Sequence, residues 1–270
     1  MLSLAIACGD DDATGTGGDG AGSPSSSAST SGSASTSGSA STSGAGGEAP
    51  VTCTDPTPVA CEDDVILQMN LQDDVTDGAV ANAPDGAGFR STIDATAGGA
   101  FAADPDSYTY ARFTDAGLEK VDVSDQGSLG SMEWDIAFRR YVVRINSGHS
   151  GPSCVVAARV PGAATYDEVT TPPADLTFRA DQYFTETCDL IPDGTGLDDS
   201  PATALSSFWT YPGCVQMTGN VYVVRLADGR HLKLTITHYY DEAAQTQCQD
   251  QGSVPMDNGS ANFQARWSFF

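Results

Sequence analysis

From residue 65 to the C-terminus, apolar residues come in short runs or alternate with polar ones. This is the period-two signature of strands, and sustained helical periodicity is scarce. The pattern predicts strands at 65–71, 109–113, 134–144, 155–159, 221–226, 232–240 and 263–270. Turn signals separate them: Pro84-Asp85-Gly86, Asn146-Ser147-Gly148, Pro192-Asp193-Gly194, Ala227-Asp228-Gly229 and Asp257-Asn258-Gly259. The clearest hairpin lies across Asp228-Gly229, where Gly takes the positive φ between two alternating runs. The terminal aromatic run 263–270 is expected to close the sheet. The pattern thus predicts an all-β, mostly antiparallel domain.

The N-terminal fifth of the chain carries no such pattern. Residues 9–52 are almost all Gly, Ser, Ala, Thr and Asp with no aromatic residue, and the hexapeptide SASTSG recurs from Ser27, Ser33 and Ser39. Such a segment cannot bury a core and reads as a flexible tether spanning roughly 35–40 Å r.m.s.. Ahead of it, Leu2 to Ala7 form a short apolar run that ends in small residues directly before Cys8. This looks like the cleavage box of a bacterial lipoprotein signal, with Cys8 receiving the lipid. No basic region precedes the run, which reads as a start codon placed too late or a trimmed N-terminus. No stretch reaches the ~20 apolar residues of a spanning helix, so the lipid on Cys8 is the expected membrane attachment of an exported protein. The expected organisation is a signal remnant at 1–7, lipidated Cys8 with the tether at 8–52, and one domain at 53–270.

Composition narrows the function classes. Against 36 acidic residues stand 12 basic ones, a formal net charge of −24. Clustered Lys and Arg, on which phosphate binding relies, are missing, so no nucleic-acid partner is expected. Acidity of this kind keeps a surface protein soluble. Of the seven cysteines, Cys8 stands apart and Cys53, Cys61, Cys154, Cys188, Cys214 and Cys248 remain. With no CxxC pair, these six read as three disulfides rather than a zinc site. Six cysteines allow 15 pairings. Proximity favours Cys53 with Cys61, and elimination leaves Cys188 with Cys214 and Cys154 with Cys248.

Two segments carry a family resemblance. Residues 134–151 read WDIAFRRYVVRINSGHSG, and the second segment comprises Trp209-Thr210-Tyr211 and the run 222–240. Both resemble the HmuY-like proteins, β-rich surface lipoproteins named for a haem-binding founder. Read from the residues alone, both are ordinary strands. Trp134, Ile136, Phe138 and Arg140 fall on one face and Asp135, Ala137, Arg139 and Tyr141 on the other. Leu232, Leu234, Ile236 and His238 share a face, opposite His231, Lys233, Thr235 and Thr237.

The resemblance implies a lipid-anchored protein of the outer membrane or cell surface that captures haem or a related tetrapyrrole and passes it to an outer-membrane uptake receptor. A surface interaction protein that binds glycan or protein without haem is the alternative. Haem iron wants His or Met ligands between apolar walls. The chain offers His149, His231 and His238, and beyond Met1 it has Met69, Met132, Met217 and Met256. The family motif fixes no iron ligand at a matched position. His149, His231 and Met217 are the ligand candidates, with His149 first because it sits on a Gly-flanked loop expected to be free to reach a ligand. His238 reads as a satisfied core or edge histidine.

Other chemistry is not expected. Gly148-His149-Ser150-Gly151 is superficially similar to the nucleophile loop of trypsin-like proteases. Yet it has His where they have Asp, no recognisable base histidine, and no G-x-S-x-G elbow. It reads as a tight turn, and the chain as no enzyme. The Asp73-Asp74 and Asp193 to Asp199 groups lack the order of a calcium loop, so no metal is expected beyond the hypothetical haem iron.

Overall fold

The structure is a computed structural model that describes residues 52–96, 107–192 and 201–270. Cys8, the tether, and the Asp193-Gly194 and Asp198-Asp199 signals lie outside the described residues. Twelve strands are described: β1 (Val80–Asp85), β2 (Gly88–Asp94), β3 (Thr109–Thr114), β4 (Gly117–Val121), β5 (Ile136–Arg139), β6 (Val142–Ile145), β7 (Val156–Arg159), β8 (Trp209–Thr210), β9 (Gln216–Met217), β10 (Tyr222–Arg225), β11 (His231–His238) and β12 (Asn262–Phe269). Three helices accompany them: α1 (Glu62–Gln68), α2 (Asp125–Ser128) and α3 (Glu242–Gln251). All strand pairing is antiparallel, in a six-stranded sheet ordered β1-β2-β12-β11-β10-β7, a four-stranded sheet ordered β4-β3-β5-β6, and the short β8-β9 pair. The expected all-β, mostly antiparallel class is the one observed.

Alternation along the strands builds three apolar layers. Between the two sheets, Phe113, Ile136, Phe138 and Ile145 meet Ile93, Tyr222, Leu234, Phe263 and Trp267. The opposite face of the four-stranded sheet carries Tyr110 and Ala137, which pack with Trp134, α1 and the Tyr183-Phe184 segment. The outer face of the six-stranded sheet carries Val221 and Val223 beneath Val160, Tyr166 and Val169. The four-stranded sheet is therefore buried on both sides, which explains why β5 shows no exposed face. Trp134 precedes the strand and packs with Ala137, not on the face of Ile136 and Phe138 as the alternation implied.

Two side chains close the edges of that sheet. The amide of Asn82 donates to Leu118 O and accepts from Leu118 N–H on β4, at 2.9 and 3.0 Å. At the other edge, the carboxylate of Asp181 accepts from Ile145 N–H on β6 at 2.8 Å. Backbone groups that would otherwise offer a template to another chain are satisfied internally at these points.

Four expectations change. Residues 65–71 are not a strand, because Glu62–Gln68 form helix α1. Val65 and Met69, four residues apart, are buried and Leu67 between them is 80 % exposed, which is helical spacing. Glu62, Asp63 and Asp64 supply negative charge at its N-terminus. The 134–144 run is a hairpin instead of one strand: Arg140 adopts φ +51° and β5 turns into β6 through Arg140-Tyr141. The terminal strand β12 lies inside the six-stranded sheet, between β2 and β11, so it does not close an edge. A bulge between Ile236 and His238 breaks the alternation of β11. His238 is therefore half-buried rather than inward-facing, with Nδ1 against Thr237 Oγ1 at 2.9 Å.

The six domain cysteines form Cys53–Cys154, Cys61–Cys188 and Cys214–Cys248. None of the three pairings reached by proximity or elimination occurs. Each bridge joins segments that the sheets bring together from 34 to 127 residues apart, and sequence distance carries no information about that.

Candidate functional site

The WDIAF…NSGHSG segment builds a buried polar cluster behind the four-stranded sheet. Arg144 of β6 is fully buried and donates to Tyr110 Oη at 3.0 Å, Ser150 O at 2.6 Å and Ser150 Oγ at 3.3 Å. Ser150 Oγ donates to Asp181 at 2.5 Å, and Asp181 also accepts Ala204 N–H at 2.7 Å. On the same face, Arg139 pairs with buried Asp125 at 3.3 Å and donates to the carbonyls of Met69 and Asn70 at the end of α1. Asp125 in turn accepts from Tyr108 N–H and Tyr110 Oη, at 2.7 and 3.0 Å. Buried ions are tolerated when paired and hydrogen-bonded, and this cluster meets that condition. Burial still pushes the Asp181 carboxyl up to about 6, against its three donors and Arg144.

Ser150 is thus a structural hydroxyl. Its partner is a carboxylate and a guanidinium lies beside it; no histidine nitrogen is bonded to it among the described residues. The arrangement is that of a tight turn locked into a hydrogen-bond network, not of an activated nucleophile.

The loop carrying His149 differs from the free, Gly-flanked loop the sequence predicts. Gly148, at φ +59°, packs so closely on the Asp181 carbonyl that a β-carbon would collide with it. Backbone bonds hold His149 on both sides, its N–H donating to Asp181 O at 2.9 Å and its carbonyl accepting from Tyr183 Oη at 2.8 Å. The imidazole is 7 % exposed, with ring centroids of Tyr183 and Phe184 each 5.5 Å away. Its Nδ1 is buried and has no hydrogen-bond partner. Burial holds the imidazole pKa below its ordinary value, so the ring is neutral at physiological pH.

His149 lines a cavity of about 400 Å³, together with Pro58, Ala60, Cys61, Phe184 and Thr185. The Cys61–Cys188 bridge stands at its wall. A second cavity of about 840 Å³ opens at the edge of the six-stranded sheet, against Ala157 and Arg159 of β7. Among the described residues its lining offers no His, Met or Cys.

The other ligand candidates lie elsewhere. His231 on β11 packs its ring edge-on to Phe178 in the outer layer. Met217 on β9 packs against the layer between the sheets. The three candidates therefore occupy three different layers, and the structure does not assemble them around one metal. Met69 is core, Met132 is half-buried and Met256 is 95 % exposed. Among the described residues, the His/Cys/Asp/Glu group close enough to hold a metal ion is Cys61, Asp64 and Cys188, whose two sulfurs are consumed in the disulfide. Phe184 and the 61–188 bridge escaped sequence reasoning, because nothing local in Asp181-Gln182-Tyr183-Phe184 marks a wall around a histidine more than thirty residues earlier.

Fold and site together define a disulfide-linked, antiparallel β domain with two open clefts, of the kind that ligand-binding modules use. The chain belongs to the HmuY protein family, whose profile matches residues 104–251. Among solved structures it is similar to a protein from Bacteroides vulgatus described as HmuY-like and heme binding. Identity there is 18 %, over 70 % of this chain and 94 % of that one, with a TM-score of 0.41. An apo HmuY analog from Tannerella forsythia matches at 16 % identity, over 73 % and 99 % of the two chains, with a TM-score of 0.35. A Bacteroides fragilis protein described as a lipoprotein matches at 17 % identity, over 68 % and 90 %, with a TM-score of 0.41. No curated protein matches the chain.

Proposed function

We propose that the domain is a surface binding protein for haem or a related tetrapyrrole, held from the membrane by a lipid on Cys8, with His149 as its axial ligand. The observation that carries this reading is the Nδ1 of His149. It is a buried ring nitrogen with no partner; Ser147 Oγ in the same loop is likewise unbonded, while Ser150 and Tyr183 beside them are bonded. An orphaned buried acceptor or donor costs about 1–3 kcal/mol, and a turn of the imidazole that brings this nitrogen into the adjoining cavity would let a ligand remove that cost. The residues present fit the group in kind. His149 supplies the nitrogen donor that iron takes, and Pro58, Ala60 and Phe184 supply apolar surface. The lowered imidazole pKa keeps that nitrogen available for ligation into mildly acidic solution.

Titration of haemin into the purified protein tests the reading. Wild type is expected to develop a shifted, saturable Soret band, and His149→Ala to lose the shift. Absence of any specific spectral change in both oxidation states removes the haem reading. Unchanged binding by His149→Ala removes the ligand assignment.

A further inference from the structure

We propose that the cavity beside β7, which adjoins the His149 cavity at Ala180 and Gln182, is a further site for an acidic carbohydrate, recognised through Arg159 and Arg179. A backbone pair places these two residues. Ala157 and Arg179 exchange both hydrogen bonds, 3.0 Å from Ala157 N–H and 2.9 Å from Arg179 N–H. Residues opposite each other in such a pair project to one face, and Arg159, two positions after Ala157, projects to that same face. Arg159 and Arg179 are thus diagonal neighbours, about 7–8 Å apart at the backbone and within reach of one ligand.

Charge makes the pair stand out. In a chain with 36 acidic and 12 basic residues, Arg90, Arg112, Lys120, Arg139, Arg230 and Arg266 all have carboxylate partners. Among the described residues, Arg159 and Arg179 have none, and both side chains are exposed at the cavity. Two unpaired guanidinium groups side by side repel each other. An anion bridging them removes that repulsion, and the planar fork of arginine suits a carboxylate.

The rest of the lining selects what carries the carboxylate. Thr177, Gln182, Thr203 and Ser206 face the cavity, and among the described residues their side chains make no hydrogen bond. Alanines at 157, 202 and 204 keep the floor open. Four uncommitted hydroxyl and amide groups around two cations match a ligand with one carboxylate and several hydroxyls. The volume of about 840 Å³ accommodates more than one sugar ring. Among the described residues the lining holds no His, Met or Cys, so its chemistry differs from that of the adjoining His149 cavity, with which it shares Ala180 and Gln182.

Calorimetric titration of the full chain with trigalacturonate, glucuronate and N-acetylneuraminate tests the site. At least one acid is expected to bind, with affinity at least tenfold weaker for the methyl ester of the same sugar and for Arg159→Gln/Arg179→Gln. Arg159→Lys/Arg179→Lys should retain part of it, and His149→Ala all of it. Failure of all three acids to bind overturns the proposal. So does equal binding of the ester, or unchanged affinity in the double Gln variant. If the double Gln variant loses haemin binding while no sugar binds, the arginines hold porphyrin carboxylates and the carbohydrate assignment is wrong. Sugar binding without haemin binding would overturn the haem reading alone.

Discussion

A β-carbon on Gly151 would collide with Asn146 Oδ1 and stand 2.8 Å from Trp134 Cζ2. The Asn146 amide also donates to the Ser131 and Trp134 carbonyls, and the Trp134 indole donates to Ser128 O at 3.1 Å. The residues that make the WDIAF…NSGHSG block recognisable therefore hold one another, which explains their spacing without reference to a ligand. Between those contacts, His149 Nδ1 and Ser147 Oγ are the buried polar atoms left without a hydrogen-bond partner. Asp135 adds a pH dependence at this scale. Its buried carboxylate accepts Phe113 N–H at 2.9 Å, and burial pushes its pKa up from 3.8 to about 6, with Asp228 raising it further and Arg112 and Arg230 opposing. A carboxyl with a raised folded pKa stabilises the fold fully below its unfolded pKa of 3.8, and that contribution is lost as pH rises through about 6. The full span corresponds to about 3 kcal/mol. Asp135→Asn, which keeps an acceptor and cannot ionise, is expected to flatten the melting-temperature profile between pH 4 and pH 7. Identical slopes for variant and wild type would show that the carboxyl does not titrate in this window.

Among the elements, the strands followed from alternation wherever both faces of a run had distinct surroundings. The β10–β11 hairpin at Asp228-Gly229, where Gly229 takes φ +85°, is the clearest case. Where the environment is symmetric or the turn unmarked, the pattern fails. The β5–β6 hairpin was hidden because Arg140-Tyr141 carries none of the Gly, Asn or Asp signals, and both flanks are buried. α1 was hidden because seven residues offer only two turns of periodicity, though the acidic triplet before the apolar run was a readable helix-start signal. The sequence offered position 149 as a candidate. Its burial was not legible there, since Asp181, Tyr183 and Phe184 create it. α1 is tied to the chain beyond Phe184 by Cys61–Cys188, across 127 residues. Cys61→Ala/Cys188→Ala is expected to lower unfolding free energy by about 2–4 kcal/mol. A reduced urea midpoint with the other two bridges intact checks this; an unchanged midpoint would mean that packing alone fixes α1.

At the scale of the whole molecule, the described domain carries two cavities of different lining, one with His149 and one with Arg159 and Arg179. No described helix is long and apolar enough to cross a membrane. The proposed lipid anchor is tested at Cys8. With a full signal sequence supplied, Cys8→Ser should leave the membrane fraction; pelleting with membranes at high salt would contradict the anchor. Acidity matters here as well, since a net charge of −24 repels anionic ligands in general and makes the paired Arg159 and Arg179 a local exception. The central claim is that iron in a bound tetrapyrrole is ligated by His149. Resonance Raman spectroscopy of the reduced, haemin-loaded protein reads that bond directly. The account predicts an iron–imidazole stretching band in wild type that persists in His231→Ala and His238→Ala and disappears in His149→Ala. A band that survives in His149→Ala, or bound haem in wild type with no such band, would contradict it.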